Sequence, residues 1–445
     1  MRACRIVLIL FLLFSMSADA DNELRLEVTG STPAPILALA PPEPGDVPDV
    51  AQQIDQILSY DLDFSKRVRL HTDISRVSGQ MSQDRTSGTV NYTAWKSIGA
   101  EYTVDCRVRS EGTGQVIVDL TIHDIRDGTR LLGKRFTLPR KQLRQGGHLI
   151  SDVIVQACTL EDGIAQTSFL FVYHNPTARS KEIFQVDYDG YPQSVKPLTK
   201  FGTITQFPAW SPNGVSFAFS SFRSGWLDAY IQSLDAGKLF FLAKAPGNNL
   251  TPSWFPNNPD WLVISLSYVG NAEIFLLRRD GKQPKRITNH PAIDSSPVVS
   301  PNGQEIVFTS DRGGIATLYM MSTEGTNVRR LVPDGGLSCD TAQWSPVPLN
   351  GQYRIAFRGY RAGQVRGDIY MIGADGSDMR NLTNGQGDNS NPTWAPDGSY
   401  IAFSTNRGSP SSELWVMEAS GTAPRRLLNL KGNCLQPAWS PRPKK

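Results

Sequence analysis

Cysteine and histidine are scarce here, at five residues each in a 445-residue chain. No Cys-x-x-Cys is present, and none of His71, His123, His148, His174 and His290 stands four residues from another, so the usual zinc spacings are excluded. The Gly-x-Ser-x-Gly nucleophile elbow is missing, which removes a propeller-gated serine peptidase; glycine loops of the phosphate-binding or dinucleotide type are missing as well. Neither sign of charge is in excess. With 45 Lys+Arg against 42 Asp+Glu the net charge is +3, which leaves no broad basic surface for nucleic acid and no acidic field for steering cations. Beyond Ala20 no 18 apolar residues run together, so the mature chain is not expected to be membrane-embedded.

The start of the chain is different. Arg2 and Arg5 precede the apolar run Ile6 to Phe14, and Ala18-Asp19-Ala20 supplies the small-x-small pattern of a secretory signal cleaved between Ala20 and Asp21. As a helix that run would reach ~14 Å, half of a ~30 Å hydrocarbon core, so it does not read as a membrane anchor. Residues 1–20 are therefore expected to be a signal peptide, 21–165 an N-terminal domain and 166–445 a second domain.

What is abundant is 38 Gly, 30 Pro and 9 Trp, and they recur in order. A Pro-x-Trp-Ser-Pro-(Asn/Asp)-Gly unit places Trp210, Trp254, Val299, Trp344, Trp394 and Trp439 at intervals of 44, 45, 45, 50 and 45 residues. The turn glycines Gly190, Gly237, Gly281, Gly325, Gly376 and Gly421 keep nearly the same period. Between them lie short β-branched and aromatic runs, such as Glu305 to Ser310 and Tyr400 to Thr405, joined by Asn213-Gly214, Asn302-Gly303 and Asp397-Gly398 hairpin turns. Four short strands per ~45 residues is the pattern of a β-propeller blade. The last unit, Pro437 to Pro441, has no strands after it, and the first set, beginning at Ser168, has no Trp-Ser-Pro strand before it. The expectation is a six-bladed propeller whose C-terminal strand enters the first sheet and closes the ring. The repeated Trp residues are read as packing between sheets.

Residues 21 to about 165 lack the repeat. Pro35 to Leu39 reads as a strand, Pro48 opens a helix with Val50, Ile54, Ile57 and Leu58 on one face, and Thr93 to Ile98 reads as a second helix. Tyr102 to Arg107, Gln115 to Ile125 and Arg130 to Leu138 alternate as a meander, and Leu149 to Ala157 form another helical face. The fold class is thus a small α/β domain followed by an all-β propeller. Cys106, Cys158, Cys339 and Cys434 permit three complete pairings. Cys106 with Cys158 is one candidate, since both lie in the N-terminal third; Cys339 and Cys434, two blades apart, would sit about 10 Å from each other, beyond the ~7 Å reach of a disulfide.

No catalytic constellation stands out. Asp187-x-Asp189-Gly190 lacks the remaining ligands of a calcium loop and reads as a turn. What recurs is a polar loop before each inner strand. These loops carry Thr205 and Gln206; Asn248, Asn249 and Thr251; Asp294, Ser295 and Ser296; Asp340 and Thr341; Asp388, Asn389 and Asn391; and Asn433 and Gln436. They should converge on one mouth of the channel as a ring of donors and acceptors for a protein loop or small polar ligand. An alternative is a metal-dependent hydrolase or sugar-binding propeller, for which Asp294, Asp340 and Asp388 would have to supply the ligands.

Asp187-Tyr-Asp-Gly-Tyr191-Pro-Gln193, Phe207-Pro-Ala-Trp-Ser-Pro-Asn-Gly214 and the terminal Pro-Ala-Trp-Ser-Pro441 together resemble the TolB family, the periplasmic component of the bacterial Tol-Pal system. The N-terminal domain matches mainly in layout, around Ala94-Trp95 and Leu149 to Val155. Val299, Asn257-Asn258-Pro259 and the insert Val347 to Tyr353 depart from the pattern. The resemblance implies a non-enzymatic, monomeric periplasmic protein without cofactors that serves outer-membrane integrity, protein transport and cell division. It implies that the lipoprotein Pal binds at the mouth, around Asn248, Thr251 and Ser295. It also implies that TolA binds the segment Asp21, Asn22, Glu23, Leu24, Arg25, Leu26, Glu27 and Val28, and that other outer-membrane proteins are further partners.

Overall fold

In the computed structural model, strands Ile36–Leu39 and Arg69–Leu70 run parallel to one another, and Ile36–Leu39 also pairs in parallel with Tyr102–Glu111. That third strand continues through Gln115–Asp124 and Thr129–Pro139 as the expected antiparallel meander, giving a five-stranded sheet. Residues 33–235, 237–361, 363–364 and 366–443 are described. The expected signal peptide, its cleavage site and the segment Asp21 to Val28 lie outside them.

Four helices cover this sheet: α1 (Pro48–Ser65), α2 (Ile74–Ser87), α3 (Tyr92–Ile98) and α4 (Leu143–Thr159). α1 starts at Pro48 because a first-turn proline loses no hydrogen bond there, and its Val50, Ile54, Leu58 and Leu62 are buried together with Ile150, Ile154 and Val155 of α4. α2 was not legible as a helix, since Val77 and Met81 are its only buried apolar side chains. Caps and a polar core hold it instead. Asp73 accepts from the Arg76 amide, and buried Asp84 accepts from Gln80 Nε2 at 2.8 Å and from Trp95 Nε1 at 2.7 Å.

From Ser168 onward the described chain forms six four-stranded sheets. Blades 1 to 5 begin with inner strands Thr205–Trp210, Asn249–Phe255, Asp294–Val299, Leu337–Trp344 and Asn389–Trp394. Blade 6 is composite: Asn433–Trp439 pairs antiparallel with Ser168–His174 and forms its innermost strand. The closure expected from the orphan units is therefore present, and Ser168 N is further bonded to Ser440 Oγ at 3.0 Å.

The tryptophans seal the ring from blade to blade. Nε1 of Trp210, Trp254, Trp344 and Trp394 each donates to an inner-strand carbonyl of the preceding blade, on Ala438, Ala209, Val298 and Gln343 respectively, at 3.0–3.2 Å. Trp439 instead donates to Thr167 Oγ1 at 2.8 Å, at the entrance from the α/β domain. Buried Val299 fills the equivalent place in blade 3 by packing alone. The four described cysteines are buried free thiols, so neither Cys106–Cys158 nor Cys339–Cys434 is bridged.

The α/β domain and the propeller belong to one compact unit beginning at Pro35. Their junction lies at the closing ends of the inner strands of blades 5 and 6. Tyr400 OH donates to the Phe64 carbonyl at 2.7 Å, Arg67 pairs with Asp397 at 3.1 Å, and the Arg425 guanidinium lies 4.2 Å over the Phe64 ring. Buried Asp61 of α1 accepts from Tyr188 OH at 2.6 Å and from His148 Nδ1 of α4 at 2.8 Å. Arg144 grips Asp187 and Asp189, so this pair of carboxylates serves an interdomain clasp, and the turn reading over a calcium loop fits.

Candidate binding face of the propeller

Each inner strand begins at a polar loop and ends at a turn that carries a Trp or, in blade 3, Val299. A six-residue strand spans ~20 Å, so the loops open on the face opposite the α/β domain. In all six strands the third, fourth or fifth residue, Phe207, Thr251, Ser296, Thr341, Asn391 or Gln436, has a positive φ, between 51° and 57°. Strand pairing shifts register at the same place in every blade. A left-handed conformation costs an L-residue about 1 to 2 kcal/mol, and five of the six precede a proline, which normally favours extended backbone. That strain is repeated six times around one axis. The bulges turn these residues into the channel, where they line a cavity of about 620 Å³ together with the inner-strand prolines and tryptophans. Arg442 is the one charged residue among the described residues lining it. Gln436 Oε1 accepts from the Phe207 amide at 2.7 Å across the closure, while Thr251 Oγ1 is buried without a hydrogen-bond partner.

The side chains expected at the mouth divide into two groups. Thr205, Asn249, Asp294 and Asn389 are fully buried and offer no surface to a partner. They open their strands with side chains turned into the blade, where they anchor the incoming loop. Thr205 bonds Ser221 Oγ at 2.9 Å, Asn249 Nδ2 donates to the carbonyls of Leu227 and Ala245, and Asp294 binds Arg312 at 2.7 Å. Asn389 accepts from Arg407 at 3.1 Å. Asn248 is exposed, and Gln206, Thr251, Ser295, Ser296, Asp340, Thr341, Asp388, Asn391, Asn433 and Gln436 are partly exposed around the opening.

The metal-binding alternative needs free carboxylates at this mouth. Asp294 is held by Arg312, while Asp340 and Asp388 share Arg358 at 3.5 and 3.1 Å across blades 4 and 5. A guanidinium between two carboxylates occupies the place a cation would need. Burial raises the Asp340 carboxyl above the usual carboxylate range, and Arg358 opposes that shift. Asp61, His148 and Asp189, in the interdomain clasp, offer ligand atoms within 4.8 Å of one another, but both Asp61 oxygens and the Asp189 carboxylate are already engaged.

These arginines were missed in the sequence, although a signal was there. Ser221-Phe-Arg223, Ser310-Asp-Arg312 and Thr405-Asn-Arg407 repeat one Ser/Thr-x-Arg step after the second strand of a blade. Arg223 lies 4.6 Å over Phe201, Arg312 5.1 Å over Tyr319, and Arg407 5.2 Å over both Phe403 and Trp415. Three blades thus set a cation on an aromatic face beside the mouth, and two of these cations donate into its loops, Arg312 to Asp294 and Arg407 to Asn389.

Comparison with known proteins agrees with this architecture. A model described as the TolB beta propeller domain matches residues 155–443, and one described as the TolB amino-terminal domain matches residues 24–131. A protein TolB homolog from Chlorobium chlorochromatii (strain CaD3) is 32% identical over 295 residues, 66% of this chain and 65% of that relative. Another from Chlorobium luteolum (strain DSM 273 / BCRC 81028 / 2530) is 30% identical over 233 residues, 52% of each. The chain thus matches 65% and 52% of the length of these two curated relatives. The crystal structure of TolB from Acinetobacter baumannii superposes with a TM-score of 0.77 at 25% identity, covering 92% of this chain and 97% of that one.

Proposed function

The chain belongs to the TolB family, and on that premise we propose that it is a non-enzymatic periplasmic binding protein of the Tol-Pal envelope system. It receives the outer-membrane lipoprotein Pal at the six-loop mouth and inner-membrane TolA through Asp21 to Val28, supporting outer-membrane integrity and constriction during division. The observation that carries this reading is the ring of six bulged inner strands. It gathers polar groups from loops far apart in sequence onto one opening, on the face left free by the α/β domain. A protein loop suits such a site because it can offer its own donors and acceptors to several blades at once. Among the described residues no helix is long and apolar enough to cross a membrane.

The test is calorimetric titration of the mature protein with soluble Pal. Introducing bulk and charge at the partly exposed ring, as Ser295→Arg together with Gln206→Arg, should weaken binding at least tenfold while thermal unfolding stays unchanged. An unaltered dissociation constant removes the mouth as the Pal site. Deleting residues 21–30 should abolish TolA binding in the same assay.

A further inference from the structure

The outermost strands of the six blades are built to one plan, with one exception. In each blade two adjacent residues of the third strand, an aromatic residue followed by an apolar one except for Phe184 and Gln185 of blade 6, face two residues of the fourth. In blades 2 to 6 these are Arg286 and Lys285, Arg330 and Arg329, Asn381 and Arg380, Arg426 and Arg425, and Pro197 and Lys196. Every one of those edges therefore carries a cation, and one also carries a proline. Such residues keep an edge strand from pairing with another chain. In blade 1 the same two positions are Phe241 and Phe240, facing Tyr230 and Ile231.

Three further observations set this edge apart. Leu239–Ala243 is five residues long, where four of the other outer strands have only two and that of blade 5 has four. Phe240 and Phe241 are 49% and 48% exposed beside a cavity of about 650 Å³ that reaches Arg278 and Asp260 of blade 2. Nor do the phenylalanines replace a needed ion pair. Arg286 and Arg426 pair with buried Glu273 and Glu413, whereas the corresponding Asp228 of blade 1 is bonded locally by Ser224 at 2.6 Å.

We propose that the outer strand of blade 1, Leu239–Ala243, is a docking edge that accepts an extended segment of a partner protein as a fifth strand, apolar in its centre and acidic at both ends. The unpaired backbone groups of the edge supply the hydrogen bonds and the two phenylalanines the apolar contact. The charge preference comes from the flanks. Lys238 and Lys244 bracket the strand and Arg278 lies beside it, all three exposed, with Lys244 5.3 Å over the Phe241 ring. The same flanks disfavour a second copy of this chain. Two such strands paired antiparallel about Phe241 would set Lys238 of one against Lys244 of the other, and like charges placed directly opposite destabilise a ladder.

The probe is the capped heptapeptide Glu-Val-Thr-Val-Thr-Val-Glu, added to the full mature protein. Fluorescence anisotropy should show saturable binding, and hydrogen exchange should slow at Leu239–Ala243. Phe240→Lys with Phe241→Arg, which gives this edge the character of its siblings, should weaken binding at least tenfold. A Lys-flanked peptide, and one N-methylated on alternate amides, should be weakened comparably, and these two need no altered protein. Absence of binding overturns the proposal, as does equal binding of the Lys-flanked peptide. Concentration-dependent dimerisation abolished by the double substitution would overturn it in favour of self-pairing.

Discussion

Trp394 shows how one side chain serves two sheets. It is buried to 6% exposure in blade 5 and donates to the Gln343 carbonyl of blade 4 at 3.1 Å. Trp394→Ala should cost about 3 to 5 kcal/mol, from lost apolar burial plus the cavity left between blades. Denaturant unfolding of the purified variant measures this directly, and a loss below about 1 kcal/mol contradicts the packing role. The contrast with Val299 makes the point chemically, because blade 3 keeps the apolar contact and does without the bond. At this scale the sequence was informative about what repeats and silent about direction. Asp294 and Ser295 are adjacent polar residues, yet the more polar of the two is sealed inside the blade and the other lies at the opening. Strand alternation decides that, and it becomes known only when the register is known.

Among the elements, the strands and the ring closure were legible because turn dipeptides and a strict period mark them. α2 was not, because its stability comes from Asp73 and Gly88 at its ends and from the Asp84–Trp95 bond rather than from an apolar stripe. The bulges were hidden for a different reason. Their left-handed residues range from Phe207 to Asn391, so residue type gives no cue, and only the following proline recurs. The junction between α1, α4 and the Asp187–Asp189 turn was equally invisible, since its partners are separated by as many as 127 residues. Tyr188→Phe should test it. Removing the hydroxyl leaves one oxygen of a buried carboxylate unpartnered, at a cost of about 1 to 3 kcal/mol. Calorimetry should show the loss, and a variant as stable as the parent would show that the clasp contributes nothing.

Across the whole molecule, four thiols spread through both domains link stability to alkaline pH. Burial pushes Cys106, Cys158, Cys339 and Cys434 from an ordinary value of 9.0 up to about 12. A folded-state value raised in this way contributes stability that is complete below pH 9 and is lost as pH climbs from there towards 12. The slope is about 1.4 kcal/mol per pH unit for each thiol in that window. Urea midpoints measured from pH 8 to 10.5 should fall more steeply for the parent than for a variant with all four replaced by alanine. Parallel slopes would refute the linkage. The composite sixth blade has a separate consequence for biogenesis. Ser168 and Ser440, bonded to one another, are 272 residues apart, so the earliest propeller strands emerge long before the segment that completes their sheet. Blades 1 to 5 are each complete within one continuous stretch of chain, whereas the sixth lacks its innermost strand until Asn433–Trp439 is made. The nascent wheel therefore stays unlatched, its first-made hairpin an open edge, until the last strand arrives.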